Sequence, residues 1–278
     1  MIELPEAVTL AKQLTDTLGG KTIRNVIAGH STHKFAWYFG DPQQYGVLLN
    51  GKVIDRATNY GGQVEIAAGD ARITFSDGVN LRYFQQGEKL PDKHQLLLEL
   101  DDGSLLVGSV QMYGGLMAFP VGQNDNQYYL VAKERPSPLS PDFNEAYFDS
   151  LFSSGTDKLS LKAFLATEQR IPGIGNGVLQ DILFNARMHP KKKVATLSSA
   201  DRKLLFDAIK STLAEMVAAG GRDTDTDLFE QPGGYVTKLS KNTVGQPCSV
   251  CGGLIHKEAY MGGSVYYCAA CQKTYTFQ

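Results

Sequence analysis

The four cysteines of this chain all lie in its last 31 residues, spaced C-x2-C-x16-C-x2-C: Cys248, Cys251, Cys268 and Cys271. Two CxxC pairs separated by a hairpin-length stretch can place four thiolates tetrahedrally around Zn²⁺. Short apolar runs at 254–255 and 265–267, joined across 261–263, predict that hairpin. Two disulfides or free thiols are the alternative, and disulfides are disfavoured in a cytosolic chain. We predict a structural zinc site, because four protein ligands leave no open position for catalysis.

A second candidate site is the glycine-rich segment Pro172–Gly177, which separates two predicted helices. Its glycines allow positive φ angles and close approach of the backbone to a ligand. A helix that begins near Gly177 would direct free N–H groups and the positive end of its dipole at an anion such as a DNA phosphate. Asn176 can donate to that phosphate or cap the helix. From the residues alone, a plain helix-capping turn and a phosphate cradle both remain open.

The charged residues are unevenly distributed along the chain. The formal net charge is −2, but residues 1–150 carry 12 basic and 18 acidic side chains, whereas residues 151–278 carry 15 and 11. The net charge of the whole chain argues against a protein with a uniformly basic, nucleic-acid-binding surface. The basic excess of residues 151–278 is compatible with nucleic-acid binding by that half. The densest basic point is Lys191-Lys192-Lys193, either a solvated surface or a phosphate contact. Beside the glycine-rich segment, we favour phosphate contact.

The first half of the chain supplies one helix and many short strands. Pro5, Glu3 and Glu6 suit the first turn of a helix that Gly19-Gly20 ends. The β-like runs are Thr22–Ala28, Lys34–Phe39, Gln63–Ala67, Arg72–Phe75, Gln95–Leu100, Ser104–Met112 and Tyr128–Ala132. Hairpin turns are predicted at Asn50-Gly51, Asp77-Gly78 and Asp102-Gly103. This half is predicted to be a β-sandwich or barrel with one helix.

The second half is predicted to be helical. Its candidate helices are Phe143–Phe152, Leu159–Ala166, Val178–Ala186 and Ser199–Ala219. The predicted class is therefore α+β, with an N-terminal helix and β-sandwich domain at 1–132, a Pro-rich linker at 133–141, a helical domain at 142–242 and a zinc finger at 243–278. No apolar run approaches the roughly 18–20 residues of a membrane span, and acidic residues stand where a signal peptide is basic. We expect a cytoplasmic protein, in a bacterial-type cytosol or nucleoid, that does not bind membranes.

Three motifs together resemble the formamidopyrimidine-DNA glycosylase/endonuclease VIII family of helix-two-turn-helix DNA repair enzymes. The opening Glu3-Leu4-Pro5-Glu6 matches the family's E-L-P-E start. The segment Gln169–Pro190, with GIGN at 173–176 and Met188-His189-Pro190, matches the helix-two-turn-helix. The paired CxxC motifs followed by Gln272 match the family's zinc finger. The resemblance covers essentially the whole chain.

The resemblance implies a protein that excises damaged bases from DNA. In this family the amine of an N-terminal proline attacks C1′ of the lesion sugar, the following glutamate handles protons, and a hairpin lysine takes part. An asparagine of the GIGN turn and an arginine of the zinc finger hold the phosphates beside the flipped nucleotide. Loop side chains of the β-domain fill the gap in the duplex. The implied partner is DNA, as a duplex with a damaged or flipped base, bound by a monomer.

The family's functional positions carry over unevenly. Glu3 matches the catalytic glutamate, Glu6 the second acid, Asn176 within Gly175-Asn176 the phosphate-binding asparagine, and the four cysteines the zinc ligands. The proline position is Ile2, so the free amine is expected to be that of Met1. The lysine position falls near Gly62-Gln63, and residues 263–267 contain no arginine. The void-filling positions correspond to Asp77, Gln111 and Tyr113, with Gly114 kept.

Two functional hypotheses follow from this pattern. The first is a DNA glycosylase with weakened or absent AP lyase activity, in which Glu3 activates water or shuttles protons for Met1. The second is a catalytically degenerate module that recognises damaged or unusual DNA through Asn176, Lys191, Lys192 and the zinc finger. Loss of the lysine and the arginine removes positive charge from the expected site and lowers the expectation of full lyase activity.

Overall fold

In the computed structural model, which describes residues 1–273, the first half of the chain is one helix packed on a seven-stranded sheet. Helix α1 is Leu4–Leu18 and a short helix, α2, is Tyr45–Leu49. The strands are β1 (Ile23–Ala28), β2 (Ala36–Trp37), β3 (Ile54–Tyr60), β4 (Gln63–Ala68), β5 (Ala71–Phe84), β6 (Leu96–Leu100) and β7 (Leu105–Pro120). The sequence analysis did not predict α2 or β3.

The strand order in the sheet is β1-β6-β7-β5-β4-β3. These neighbours pair antiparallel, whereas the short β2 pairs parallel with β7 at Gly114 and Gly115. The long strands β5 and β7 run through both halves of the sheet. Helix α1 packs on β3 and β4, and its residues Ala7, Leu10 and Leu14 join the apolar core of the sheet.

The predicted hairpin turn at Asp77-Gly78 is wrong, because these residues lie inside the continuous strand β5, opposite a bulge in β7. Asp77 pairs with Gly114 and Val79 with Val110, so β7 advances four residues while β5 advances two. Asp77 has a φ of 59°. A Cβ on Gly78 would lie 2.6 Å from the Tyr113 carbonyl oxygen, which explains the glycine. Residues 111–113 of β7 therefore have no pairing partner in β5.

The predicted strand at Tyr128–Ala132 is also wrong, since these residues belong to helix α3, Gln127–Glu134. The side chain of Asn126 accepts hydrogen bonds from the N–H groups of Tyr128 and Tyr129, which starts a helix despite the β-favouring tyrosines. The Asn50-Gly51 turn connects α2 to β3 instead of two strands. The Asp102-Gly103 hairpin, between β6 and β7, is confirmed.

The second half of the chain is helical, as predicted. Its helices are α4 (Glu145–Ser150), α5 (Leu161–Ala166), α6 (Val178–Asn185) and α7 (Ser199–Ala218). Asn144, Ser160 and Ser198 cap the N-termini of α4, α5 and α7 through their side chains. Leu4 lies in the apolar core of this half, so the N-terminus contributes to both cores.

A two-stranded hairpin follows the helices, formed by β8 (Ile255–Tyr260) and β9 (Gly263–Cys268). The predicted hairpin and the α+β class are therefore confirmed. Within residues 1–273, no helix combines the length and the apolar character that crossing a membrane requires.

Candidate functional site

The N-terminal segment lies between the sheet and the helical half. The N–H of Ile2 donates to the carbonyl of Asp77 in β5 over 2.6 Å, and the N–H of Leu4 donates to the carbonyl of Gly173 over 2.9 Å. Ile2 is buried and Met1 is partly exposed. The predicted catalytic residues Met1 and Glu3 are thereby fixed at the junction of the two halves.

The carboxylate of Glu3 caps helix α6. Its oxygens accept hydrogen bonds from the N–H groups of Gly177 (2.8 Å) and Val178 (2.7 Å), where the helix dipole is positive. Glu3 is only 3% exposed, and burial raises its pKa. These two N–H groups of the glycine-rich segment are therefore used by a carboxylate of the same chain, a contact that the sequence analysis did not predict.

Two glycines of the segment are required by this contact. A Cβ on Gly175 would lie 2.5 Å from Oε1 of Glu3, and one on Gly177 would overlap the guanidinium of Arg222. Gly177 has a φ of −76°, which any residue can adopt, so the need here is for space. Only Gly173, with a φ of 88°, uses the left-handed region within the segment.

Arg222 stands at the centre of a cluster of three carboxylates. Its Nε and Nη2 donate to the two oxygens of Glu6 over 2.9 and 2.8 Å, Nη1 lies 3.6 Å from Oε2 of Glu3, and Nη2 lies 3.2 Å from Oδ2 of Asp225. The arginine is 3% exposed. Burial lowers the pKa of Arg222, but the charges of Glu3 and Glu6 outweigh burial and hold it above the usual value.

The N-terminal ammonium of Met1 belongs to the same cluster, because it forms an ion pair with Asp225. Burial raises the pKa of Asp225, but Arg222 and the ammonium outweigh burial and hold it below its usual range. Sequence reasoning missed Arg222 and Asp225. The available signal was a lone arginine after Gly220-Gly221, followed by alternating acidic residues, at the end of a predicted helix.

The hairpin position where the resemblance expects a lysine is tightly packed. Gly61 and Gly62 form the β3–β4 turn and rest on the glycine-rich segment. A Cβ on Gly62 would lie 3.2 Å from the carbonyl oxygen of Ile2, and one on Gly61 would lie 2.6 Å from Cβ of Pro172. Gln63 is buried and donates to the carbonyl of Tyr128. The turn approaches the N-terminus through its backbone and offers no amine.

The predicted void-filling residues lie at or opposite the β7 bulge. Gln111 and Tyr113 belong to the bulged segment 111–113, and Asp77 pairs with Gly114 beside it. The hydroxyl of Tyr113 lies 3.9 Å from the sulfur of Met1. Of these residues, Tyr113 therefore contacts the side chain of Met1.

The four cysteines form one cluster at the base of the β8–β9 hairpin. All four sulfur atoms lie within 4.8 Å of one another, with 3.8 Å between Cys248 and Cys271 and 3.4 Å between Cys251 and Cys268. A tetrahedron with Zn–S bonds of about 2.3 Å has sulfur–sulfur edges of about 3.8 Å. The four thiols fit such a metal. Gln272 ties the cluster to the helical half by donating to the carbonyl of Met188.

Asn176 connects helix α6 to the hairpin. Its Nδ2 donates to the carbonyl of Ser264 over 3.1 Å, and Nε2 of Gln180 donates to the same carbonyl over 3.2 Å. Lys162, which the sequence analysis did not single out, is buried and donates to the carbonyl of Tyr260. Burial lowers the pKa of Lys162. The turn of the hairpin is thus held on the helical half beside the glycine-rich segment.

The basic residues after helix α6 engage neighbouring acids. Lys191 pairs with Glu258 of strand β8, and Nζ of Lys192 lies 3.1 Å from Oδ2 of Asp201. The side chain of Lys191 is still 39% exposed, whereas that of Lys192 is 13% exposed. Phosphate contact by these two lysines stays a prediction.

Comparison with known proteins extends over nearly the whole chain. The profile of the formamidopyrimidine-DNA glycosylase H2TH domain matches residues 135–227. The formamidopyrimidine-DNA glycosylase of Geobacter sulfurreducens is 29% identical over 98% of this chain and 100% of its own length, and that of Bacillus subtilis is 28% identical over 98% and 99%. The crystal structure of MutM (Fpg) from Thermus thermophilus superposes with a TM-score of 0.81 at 23% identity, covering 97% of this chain and 98% of its own. A Lactococcus lactis Fpg variant in complex with Fapy-dG-containing DNA gives 0.83 at 25% identity, covering 98% and 100%.

Proposed function

This chain belongs to the formamidopyrimidine-DNA glycosylase family, and on that premise we propose that it is a DNA repair glycosylase with weakened or absent AP lyase activity. Its proposed substrate is duplex DNA with a damaged base. Lactococcus lactis relatives of the same fold have been crystallised with DNA containing Fapy-dG or an abasic site, which supports this substrate class.

One observation carries the proposal. The carboxylate of Glu3 and the amide of Asn176 both lie at one glycine-rich turn between the two halves of the chain, and the amine of Met1 is linked to Glu3 through the ion pairs of Asp225 and Arg222. A reacting sugar and its flanking phosphate need an acid–base group and a neutral donor a few ångströms apart. The basic excess of residues 151–278 adds the non-specific attraction to DNA.

Two chemical routes fit these residues. In one, the unprotonated amine of Met1 attacks C1′ of the damaged nucleotide, the glycosidic bond breaks, and the base leaves with the proton that the amine loses. The C1′–O4′ bond then breaks, O4′ takes a proton, and an iminium forms between the Met1 nitrogen and C1′. In the other, Glu3 accepts a proton from a water whose oxygen attacks C1′, and the glycosidic bond breaks as the base leaves with a proton. Either route requires a rearrangement, because Met1 is paired with Asp225 and both oxygens of Glu3 are hydrogen-bonded.

In this proposal, the AP lyase step, which cleaves the strand by elimination after the base is released, is slow or absent. Ile2 stands at the family's proline position, and Gly62 stands near its lysine position, where a Cβ would lie 3.2 Å from the carbonyl oxygen of Ile2. Residues 263–267 supply no arginine to hold a phosphate in two hydrogen bonds. A displaced primary amine and the missing positive charges each reduce stabilisation of the charge that develops during elimination.

The metal in this proposal is Zn²⁺, held by Cys248, Cys251, Cys268 and Cys271. The spacing of the sulfur atoms supports it, and four thiolate ligands give a structural role. Bound zinc would fix the β8–β9 hairpin, and with it the carbonyl of Ser264 that accepts from Asn176.

A second candidate function is recognition of damaged DNA without catalysis. The specific observation in its favour is that the amine of Met1 and the carboxylates of Glu3 and Glu6 are all engaged in one internal ion-pair cluster around Arg222. In this alternative, the residues that are catalytic in relatives hold the two halves of the chain together.

Base release and borohydride trapping on duplexes with abasic sites and oxidised bases separate the two candidates. The glycosylase predicts release of at least one lesion base, lost in Glu3→Gln and retained in the exposed control Glu134→Gln. An adduct that maps to the N-terminal peptide supports attack by the amine, and the mass of the mature protein shows whether Met1 is retained. Normal duplex affinity with neither release nor trapping over a broad lesion panel would favour the binding protein.

Asn176→Ala tests the DNA-binding half of the proposal. We expect about fivefold weaker duplex binding, the value of one hydrogen bond, with an unchanged salt dependence because asparagine is neutral. The exposed Asn25, on strand β1, gives the control Asn25→Ala. Equal affinities of both variants and the wild type would contradict the assigned role of Asn176.

A further inference from the structure

An exposed aromatic surface lies on the short strand β2 and just before it. Phe35 is 47% exposed and Trp37 is 46% exposed. Ala36 and Tyr38, the alternate residues, pack against the core of the sheet. Because side chains alternate along an extended strand, Phe35 and Trp37 face away from that core together. Their exposure is therefore fixed by the pairing of β2 with β7.

This surface is continuous with the bulged segment 111–113 of strand β7. The ring of Trp37 lies 5.8 Å from the ring of Tyr113, tilted by 38°. The N–H of Gly114 donates to the carbonyl of Phe35 over 3.0 Å. Met112, between Gln111 and Tyr113, is 66% exposed. We call Trp37 and Tyr113 the aromatic platform. It borders the candidate site, since the hydroxyl of Tyr113 lies 3.9 Å from the sulfur of Met1.

The size of the platform favours a small occupant. An aromatic side chain buries about 150–250 Å² at most. Even with Phe35 added, three such side chains fall short of the roughly 800 Å² that each partner buries in a stable protein interface. A nucleobase has a flat π-face of matching size, and stacking on aromatic side chains is how single-stranded bases are held. Lys34, whose ammonium lies 5.3 Å from the ring centre of Phe35, places a positive charge beside this surface for a phosphate.

We propose that Trp37 is a base-stacking residue, which together with Tyr113 receives an unpaired base of the DNA next to the damaged nucleotide. This inference rests on the proposed function for DNA binding. Tyr113 is a void-filling position through the family resemblance, and the residue added here is Trp37 beside it. Removal of a nucleotide from the stack leaves its neighbours without a stacking partner, and an aromatic or apolar wedge replaces that contact. The role is one of positioning and specificity, since Trp37 touches no reacting atom.

Trp37 is the single tryptophan of the chain, so its emission reports on the platform alone. The full-length wild type is titrated with a labelled duplex that contains one abasic site opposite an unpaired base, and with the intact matched duplex. Label anisotropy measures binding, and tryptophan emission measures stacking. We expect strong quenching with the abasic duplex and weak quenching with the intact duplex at equal saturation.

Substitutions give a second measure. Trp37→Leu should weaken binding to the abasic duplex about tenfold and binding to the intact duplex much less, and Trp37→Phe should restore most of the loss. Phe229→Leu is the matched control, because Phe229 is similarly exposed (44%) and is in contact with Tyr83 away from the platform. Its affinity should equal that of the wild type.

The outcomes separate this inference from the function on which it rests. Saturable anisotropy without quenching, or equal affinity of Trp37→Leu and Phe229→Leu for the abasic duplex, would overturn the stacking role and leave DNA repair untouched. Absence of any DNA binding by anisotropy would overturn both proposals together.

Discussion

The glycine-rich turn at 173–177 is held from two sides by different physical means. On the N-terminal side, its backbone N–H groups meet the carboxylate of Glu3, inside a buried cluster of ions around Arg222. On the hairpin side, the neutral amides of Asn176 and Gln180 meet the carbonyl of Ser264, on a hairpin whose base is the four-cysteine cluster.

The difference teaches where each side is vulnerable. Buried ions depend on one another, because removal of one partner leaves the others uncompensated in a medium of low dielectric. Neutral hydrogen bonds are individually worth about 1 kcal/mol, so the hairpin side depends on whatever fixes the hairpin as a whole. We therefore expect the loss of one charged group to disrupt the N-terminal side, and the loss of the proposed zinc ion to disrupt the hairpin side.

Loss of the metal should have the largest effect. Removal of Zn²⁺ by a chelator, or Cys268→Ser, should unfold the hairpin and lower duplex affinity about a thousandfold or more, to the non-specific level. Hydrogen exchange should show the sheet of residues 23–120 still protected. Zinc addition should restore the chelated protein but not Cys268→Ser. Unchanged DNA affinity after zinc loss would contradict the claim that the hairpin side of the turn depends on its metal.

Removal of the central cation should be the largest effect on the N-terminal side. Arg222→Met leaves Glu3, Glu6 and Asp225 without their shared partner and should lower the free energy of unfolding by about 3–5 kcal/mol. The exposed pair of Lys12 with Asp16 supplies the control, and Lys12→Met should cost only about 0.3–0.5 kcal/mol. Denaturant titration measures both variants. Equal decreases in the free energy of unfolding for Arg222→Met and Lys12→Met would mean that the buried cluster does not depend on its arginine.

A methyl group inside the turn should have an intermediate effect. Gly175→Ala places a Cβ 2.5 Å from Oε1 of Glu3 and should lower the free energy of unfolding by about 1–3 kcal/mol. Gly155→Ala is the control, since the nearest atom, Oγ of Ser153, would lie 3.7 Å away. Its effect should stay within about 0.5 kcal/mol. An unchanged free energy of unfolding in Gly175→Ala would show that Glu3 is not held tightly against the turn.

The smallest expected effect is on the pH dependence of stability. Because the folded state holds the pKa of Asp225 below its usual 3.8, this carboxylate stabilises the fold fully above that pH and loses its contribution as the pH falls through the lowered value. Asp225→Asn should therefore flatten the acid limb of unfolding free energy against pH. Asp16→Asn, at an exposed site, is the control. Parallel acid limbs for wild type and Asp225→Asn would contradict the pairing of Asp225 with Arg222 and Met1.

Part of this site could be predicted from sequence because its signals are local. The CxxC spacing, the helix that follows Gly177 and the strands around Asp102-Gly103 depend on neighbours only a few residues apart. Two local signals failed. Asp77-Gly78 has the composition of a hairpin turn, but β5 pairs with β7 on both sides of it, and it lies opposite a bulge in β7. The tyrosines of 128–129 favour a strand, but capping by Asn126 starts a helix.

The sequence by itself determined the four-cysteine cluster, the order of the strand-rich, helical and zinc-finger parts, and the family resemblance, since each depends on residue type and spacing along the chain. Only the tertiary structure decided what fills the helix N-terminus at Gly177, because Glu3 reaches it from 174 residues away. It also decided that Arg222 neutralises that carboxylate and that Trp37 lies beside Tyr113. The free energy of a buried charge or an exposed ring depends on which distant groups fold against it, and spacing along the chain does not contain that information.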